Sequence, residues 1–152
     1  MTAKPICLII GAGDYIGAAI ARRFAKGGFH VVMGRRRGEM FAPLIAEIEA
    51  AGGSAQGFTW DARMEETATE MFAHVEGEIG PIDICIFNVG GNVRFPILDT
   101  TERVFRKVWE MCAYAAFLSG REAAKYMVER QKGSIFFTGA TASVRGSAGY
   151  AA

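Results

Sequence analysis

The 152-residue chain lacks a charge of one sign: 17 lysines and arginines face 16 aspartates and glutamates, a formal net charge of +1. With no global field, nothing points to nucleic acid or to an anionic membrane surface as a partner. Long hydrophobic runs are also missing. The N-terminal apolar stretch is too short to span a bilayer. It flows straight into a glycine turn, so no signal peptide is expected. Cysteine is scarce: Cys7, Cys85 and Cys112 are an odd set without C-x-x-C spacing. Such a set reads as free thiols in a reducing compartment, and hence as a cytoplasmic protein. Histidine is scarcer still, with two residues. His74 and Glu76 form an H-x-E, but no further cysteine or histidine completes a metal site, so none is expected. Repeats, low-complexity tracts and linkers are absent. What remains is 51% apolar and 22% charged, which suits one globular domain over residues 1–152 with a real core.

What is present is an alternation of apolar, strand-like runs and amphipathic, helix-like runs. Strands are expected at 5–10, 30–34, 55–59, 82–87 and 134–138. Helices are expected at 15–26, 38–51 and 64–79, with one long helix over 102–130. Gly27-Gly28, Gly52-Gly53 and Gly80-Pro81 each close a helix before the next strand. Strands and helices alternating in this way give βαβ units around a parallel sheet. With right-handed crossovers the expected fold is α/β, a Rossmann-type doubly wound sheet of about five strands in the order 3-2-1-4-5. Its C-terminal side is expected to be incomplete.

The chemistry-bearing stretch is Gly11-Ala-Gly13-Asp14-Tyr15-Ile16-Gly17, which follows the first strand and opens the first helix. A turn there presents backbone N–H groups and the positive end of a helix dipole to a phosphate. Gly11 permits the tight turn, Gly13 leaves room for a pyrophosphate, and Gly17 lets the helix pack against its strand. The bland reading is a tight βα turn that binds nothing. The second strand bears on the choice. It ends in Gly34-Arg35-Arg36-Arg37, without the acidic residue that would bond a ribose 2′-hydroxyl. Guanidinium forks suit a 2′-phosphate. NADP(H) is therefore favoured, with NAD(H) as the alternative. The charge of Asp14 on the phosphate turn argues the other way.

These motifs resemble the short-chain dehydrogenase/reductase family, and the resemblance covers the whole chain. Gly11 to Gly17 stand where that family has its T-G-x-x-x-G-x-G turn. Asp61 and Ala62 look like its strand-three site for the adenine. Asn88, Val89 and Gly90, after Gly80-Pro81-Ile82-Asp83, resemble its N-N-A-G. Gly133, Gly146 and Gly149 resemble the landmarks of its fifth strand and following loop. The chain departs at Ile10, at Tyr15 in place of a glycine, and at Phe87 in place of the first asparagine. The resemblance implies hydride transfer between a nicotinamide and a small-molecule carbonyl or alcohol. It also implies a homo-oligomer packed through the long helix, whose Trp109, Met111 and Phe117 otherwise read as core or packing residues.

The family's tyrosine, lysine, serine and asparagine do not map simply. Aligning the loop glycines puts the asparagine at Cys112, the serine at Ala140 and the tyrosine one position past Ala152. A rival register takes Tyr150 as proton donor, with Thr138 compensating for Phe137 at the serine position. Thr141 and Ser143 lie beside Ala140 and could replace the missing hydroxyl; they read equally well as turn residues. In both registers the lysine lies beyond Ala152. Two expectations follow: a catalytic oxidoreductase completed by residues beyond this stretch, or a non-catalytic NADP(H)-binding or sensing protein. The chain is accordingly expected to be part of a longer domain, with an open sheet edge at its fifth strand. The substrate is not readable.

Overall fold

The computed structural model describes residues 4–91 and 93–151. Five parallel strands form one sheet in the order β3-β2-β1-β4-β5. They are β1 (Ile6–Ile10), β2 (His30–Arg35), β3 (Ser54–Thr59), β4 (Ile82–Phe87) and β5 (Ser134–Phe137). The helices between them are α1 (Ile16–Lys26), α2 (Ala42–Ala50), α3 (Glu65–His74), α4 (Glu102–Trp109) and α5 (Ala115–Glu129). The expected Rossmann-type topology is what forms.

The central strand explains the architecture. All five residues of β1 are buried, so its backbone pairs on both sides and its side chains are covered on both faces. Leu8 and Ile10 pack with Val32, Cys85, Phe72 and Ala123 under α3 and α5. Cys7 and Ile9 pack with Val31, Met33 and Ile86 under α1 and α2. The period-two alternation of β1 thus supplies two cores from one strand. Burial pushes the Cys85 thiol up to about 12 and raises that of Cys7 as well. Both are packing groups, not nucleophiles.

Two helices differ from expectation. The segment expected as one helix over 38–51 begins with a 3-10 turn, Gly38–Phe41, before α2. The segment expected as one long helix is divided into α4 and α5 by a π-helical turn, Glu110–Tyr114. A second π turn, Val75–Ile79, extends α3. An i→i+5 turn inserts one residue into the helical ladder and redirects the side chains around it. At the far edge, among the described residues, β5 pairs only with β4. Phe136 and Phe137 on it are 52% and 55% exposed. A clamp between the ends of α3 and α5 closes the other end of β4. Arg130 donates to both carboxylate oxygens of Glu76 at 3.0 and 2.8 Å and to the Ile82 carbonyl, while Ile82 N–H donates to Glu76 at 3.1 Å.

Candidate dinucleotide site

The carboxyl ends of β1, β2 and β4 are stitched together at the point where strand order reverses. Gly11 N–H donates to the Gly34 carbonyl at 2.8 Å, and Asn88 N–H to the Ile10 carbonyl at 2.8 Å. The Asn88 side-chain amide donates to the Gly11 carbonyl at 3.2 Å. Crevices at such switch points are where open α/β sheets hold ligands. A cleft of about 370 Å³ opens here.

The glycines divide the labour as their chemistry allows. Gly11 has φ +79°, and a Cβ on it would lie 2.7 Å from Val89 Cγ2. It is locked between two strands. A Cβ on Gly17 would collide with the Ala12 backbone, so the start of α1 rests directly on the turn. Gly13 differs: a Cβ there would meet nothing within 4 Å. That emptiness faces the cleft, which Gly13 lines. The first turn of α1, Ile16 and Gly17, leaves N–H groups without helical partners beside it. Tyr15, the departure from the glycine pattern, is 89% exposed and stands on the rim.

The β2 end supplies the cations. Arg35 is held on three sides. Its Nη1 pairs with Asp14 Oδ1 at 2.7 Å, its Nε donates to the Arg37 carbonyl at 2.8 Å, and its guanidinium lies 4.8 Å from the centre of the Phe41 ring. Its Nη2 is buried without a partner among the described residues. Arg36 is exposed and lines the cleft. At the β3 end, Trp60 stacks on Phe58 with ring centres 4.5 Å apart, and Asp61 and Ala62 follow on the cleft wall. Asp61 accepts from Arg63 Nε at 2.9 Å and from its backbone N–H at 3.2 Å. The side-chain hydrogen bonds from Arg63 hold the Asp61 carboxyl below the usual carboxylate range, against the opposing pull of burial.

The β4 end closes the cleft with Asn88, Val89 and Gly90. Gly91 N–H donates to Cys112 Sγ at 3.2 Å, which ties this loop to the π turn. Met111 and Ala115 of that region complete the wall.

The structure thus brings Gly11, Gly13, Asp14, Tyr15, Ile16, Gly17, Arg35, Arg36, Asp61, Ala62, Asn88, Val89 and Gly90 around one cleft. It does not bring Thr141, Ser143 or Tyr150 to that wall. Thr141 and Ser143 lie on a short 3-10 turn after β5, where Ser143 Oγ donates to the Ala140 carbonyl at 2.5 Å. Tyr150 forms an isolated parallel bridge with Phe95. Sequence reasoning missed Arg63, Met111 and Ala115. Arg63 had a signal, a cation two residues after Asp61. Met111 had none, because its position depends on the π turn. A larger cavity of about 600 Å³ lies at the opposite end of the sheet, between the last turns of α1 and α2. Helix C-termini repel anions, and Arg22 and Glu47 in its wall already pair at 2.7 Å.

A doubly wound sheet with a glycine turn at its switch point defines a Rossmann-type NAD(P)-binding fold. The family model for short chain dehydrogenases matches residues 5–152, and the chain belongs to that family. A curated relative, 2,3-dihydro-2,3-dihydroxybenzoate dehydrogenase of Bacillus subtilis, is 31% identical over 91% of this chain and 53% of its own length. The chain spans about half the length of the curated relatives it matches. Among solved structures, a short-chain dehydrogenase from Rhodopseudomonas palustris is 56% identical with TM-score 0.91, covering 97% of this chain and 69% of that one. An actinorhodin polyketide ketoreductase with NADPH is 27% identical with TM-score 0.92, covering 99% of this chain and 59% of that one. An NAD+-bound xylitol dehydrogenase is 26% identical with TM-score 0.92, covering 98% and 58%. None of the described helices is long and apolar enough to cross a membrane.

Proposed function

We propose that the protein is an oxidoreductase that moves a hydride between NADP(H) and a small carbonyl or alcohol substrate. The observation that carries this reading is the cleft itself. Its open floor at Gly13, free N–H groups at the start of α1 and cations at the end of β2 suit a dinucleotide diphosphate. The nicotinamide, when bound, supplies or accepts the hydride.

The chain's own residues then have separate tasks. The turn from Gly11 to Gly17 holds the pyrophosphate, with open space at Gly13 for its approach. Asp61, kept ionised by Arg63, and Ala62 border the adenine. Asn88, Val89 and Gly90 border the nicotinamide ribose, and the Asn88 amide fixes the turn through the Gly11 carbonyl. Arg36, exposed on the cleft wall and without an ion-pair partner among the described residues, offers its guanidinium to a 2′-phosphate. This supports NADP(H) over NAD(H). The named activities of the relatives support catalysis over a purely sensing role. Proton transfer falls to the segment after β5, which carries Thr141, Ser143 and Tyr150 as the candidate hydroxyls and stands outside the cleft wall described above. The exposed aromatic face of α4 and α5, with Trp109 and Phe117 about half exposed, suits a second copy of the chain.

The test is direct titration of the purified protein with NADPH and NADH, followed by a carbonyl panel with NADPH oxidation read at its absorbance band. NADPH binding at least tenfold tighter than NADH is expected, with turnover of at least one carbonyl. Binding of neither nucleotide would refute the reading.

A further inference from the structure

Asp61 borders the place given to the adenine, yet it is not a free acceptor. Arg63 grips it with both prongs of its guanidinium: Nε donates to Oδ1 at 2.9 Å and Nη2 to Oδ2 at 2.5 Å. The Arg63 backbone N–H takes a second place on Oδ1 at 3.2 Å. A carboxylate offers about four acceptor places, so most of them are committed before a nucleotide arrives. We propose that Arg63 is the specificity-determining residue for the base, and that the cleft accepts a 6-oxopurine dinucleotide as readily as the adenine one. The inference rests on the cofactor reading given above.

Two partners compete for Asp61. An adenine brings a 6-amino group, a neutral donor that needs an acceptor. Arg63 is already there. To serve the amine as a free carboxylate, Asp61 would have to exchange a bidentate ion pair for one hydrogen bond from a neutral group. Bidentate pairs between a guanidinium and a carboxylate are the stronger kind. The two side chains are 31% and 28% exposed, so water screens the pair only in part. Glu110 of the π turn attracts Arg63 as well. The pair therefore stays closed, and what the base meets is the rest of the guanidinium. Arg63 lines the cleft, and its Nη1 makes no hydrogen bond among the described residues. Donors on the wall favour acceptors on the base. Hypoxanthine presents two adjacent ones, O6 and N7, the pair that a guanidinium fork matches, whereas adenine has a donor in place of O6. Arg63 thus offsets the advantage that a free Asp61 would give to the amine. A site that discriminates does so by a difference between two affinities, and here the two nearly cancel.

The test compares dissociation constants of NADPH and of reduced nicotinamide hypoxanthine dinucleotide phosphate, which carries an oxygen in place of the adenine amine. Both report through the fluorescence of the same reduced nicotinamide. They are titrated into the wild-type protein, Arg63→Ala and Arg63→Gln, with unfolding midpoints measured in parallel. The readout is the ratio of the two constants on one protein, so a loss common to both nucleotides cancels. The wild type is expected to bind the two within about threefold of each other, and both variants, with Asp61 released, to favour NADPH by about tenfold or more. A wild-type preference for NADPH of about tenfold or more, or a ratio that neither variant moves, overturns this inference and leaves the cofactor reading standing. A wild type that binds neither nucleotide overturns both.

Discussion

Replacing Gly13 by alanine separates binding from folding in a way that no other glycine of the turn permits. The added methyl meets nothing within 4 Å, and Gly13 is not among the residues with positive φ. The fold therefore gains or loses little. Gly→Ala at a compatible site stabilises by about 0.4–1 kcal/mol through the unfolded chain. For a domain of this size that is a rise in melting temperature of roughly 1–4 °C. Binding is expected to move the other way. The methyl stands where a pyrophosphate must approach the first turn of α1, and displacing one charge-assisted hydrogen bond costs about 1.5–3 kcal/mol. That is a loss of roughly 10- to 150-fold in NADPH affinity. Gly11→Ala is the contrast. Its φ of +79° and its 2.7 Å approach to Val89 Cγ2 make the change a folding defect. Left-handed strain of about 1–2 kcal/mol plus overpacking of about 1–3 kcal/mol lowers the melting temperature by roughly 4–20 °C. The assays are thermal denaturation and fluorescence titration of the purified variants. A Gly13→Ala protein that is as stable as wild type and binds NADPH equally well would refute the placement of the pyrophosphate on this turn.

Further outcomes follow from the packing and the charges. Phe41→Ala removes a ring that is 2% exposed and stacks on Arg35; it should cost about 3–5 kcal/mol in denaturant unfolding and weaken NADPH more than NADH. Glu76→Ala leaves Arg130 and the Ile82 N–H without their acceptor and should destabilise by about 2–3 kcal/mol, measured the same way. For Asp83, burial pushes the carboxyl pKa up, but the Lys132 hydrogen bond, the Ile6 N–H and the nearby cations pull it down further, so the net shift is downward. A folded pKa below the unfolded value gives stability that is present above about pH 4 and is lost as pH falls through the folded value. Melting curves of Asp83→Asn should therefore show a shallower acid limb than wild type. Cys7 and Cys85 are fully or almost fully buried with raised thiol pKa values. A thiol reagent should modify no more than Cys112 until the protein is unfolded in denaturant.

The sheet was legible because β1, β2 and β4 are apolar on both faces, a pattern that only covered parallel strands need. Edge strand β3, Ser-Ala-Gln-Gly-Phe-Thr, is far less apolar; what marks it is Gly52-Gly53 before it and Trp60-Asp61 after it. The members of the cleft were legible residue by residue, since the turn and the strand ends announce themselves locally. The partnerships among them were not. Asp14 read as a charge opposing the arginines, whereas it pairs with one of them, because β2 returns beside β1 and brings position 35 to position 14. The π turns were invisible, because an i→i+5 step leaves no mark on hydrophobic spacing within one turn. That is why Met111 read as core and why the Cys112–Gly91 contact went unforeseen. The hydroxyl-bearing residues after β5 stand apart from the cleft, and two registers of that loop fit the sequence.

A crystal structure of the purified protein soaked with NADP+ tests the central claim most directly. The pyrophosphate is expected over Gly13 at the start of α1, the adenine beside Asp61 and Ala62, and the 2′-phosphate within hydrogen-bond distance of Arg36. A nucleotide bound elsewhere, such as the cavity between the last turns of α1 and α2, or a cleft that stays empty at saturating NADP+, would contradict it.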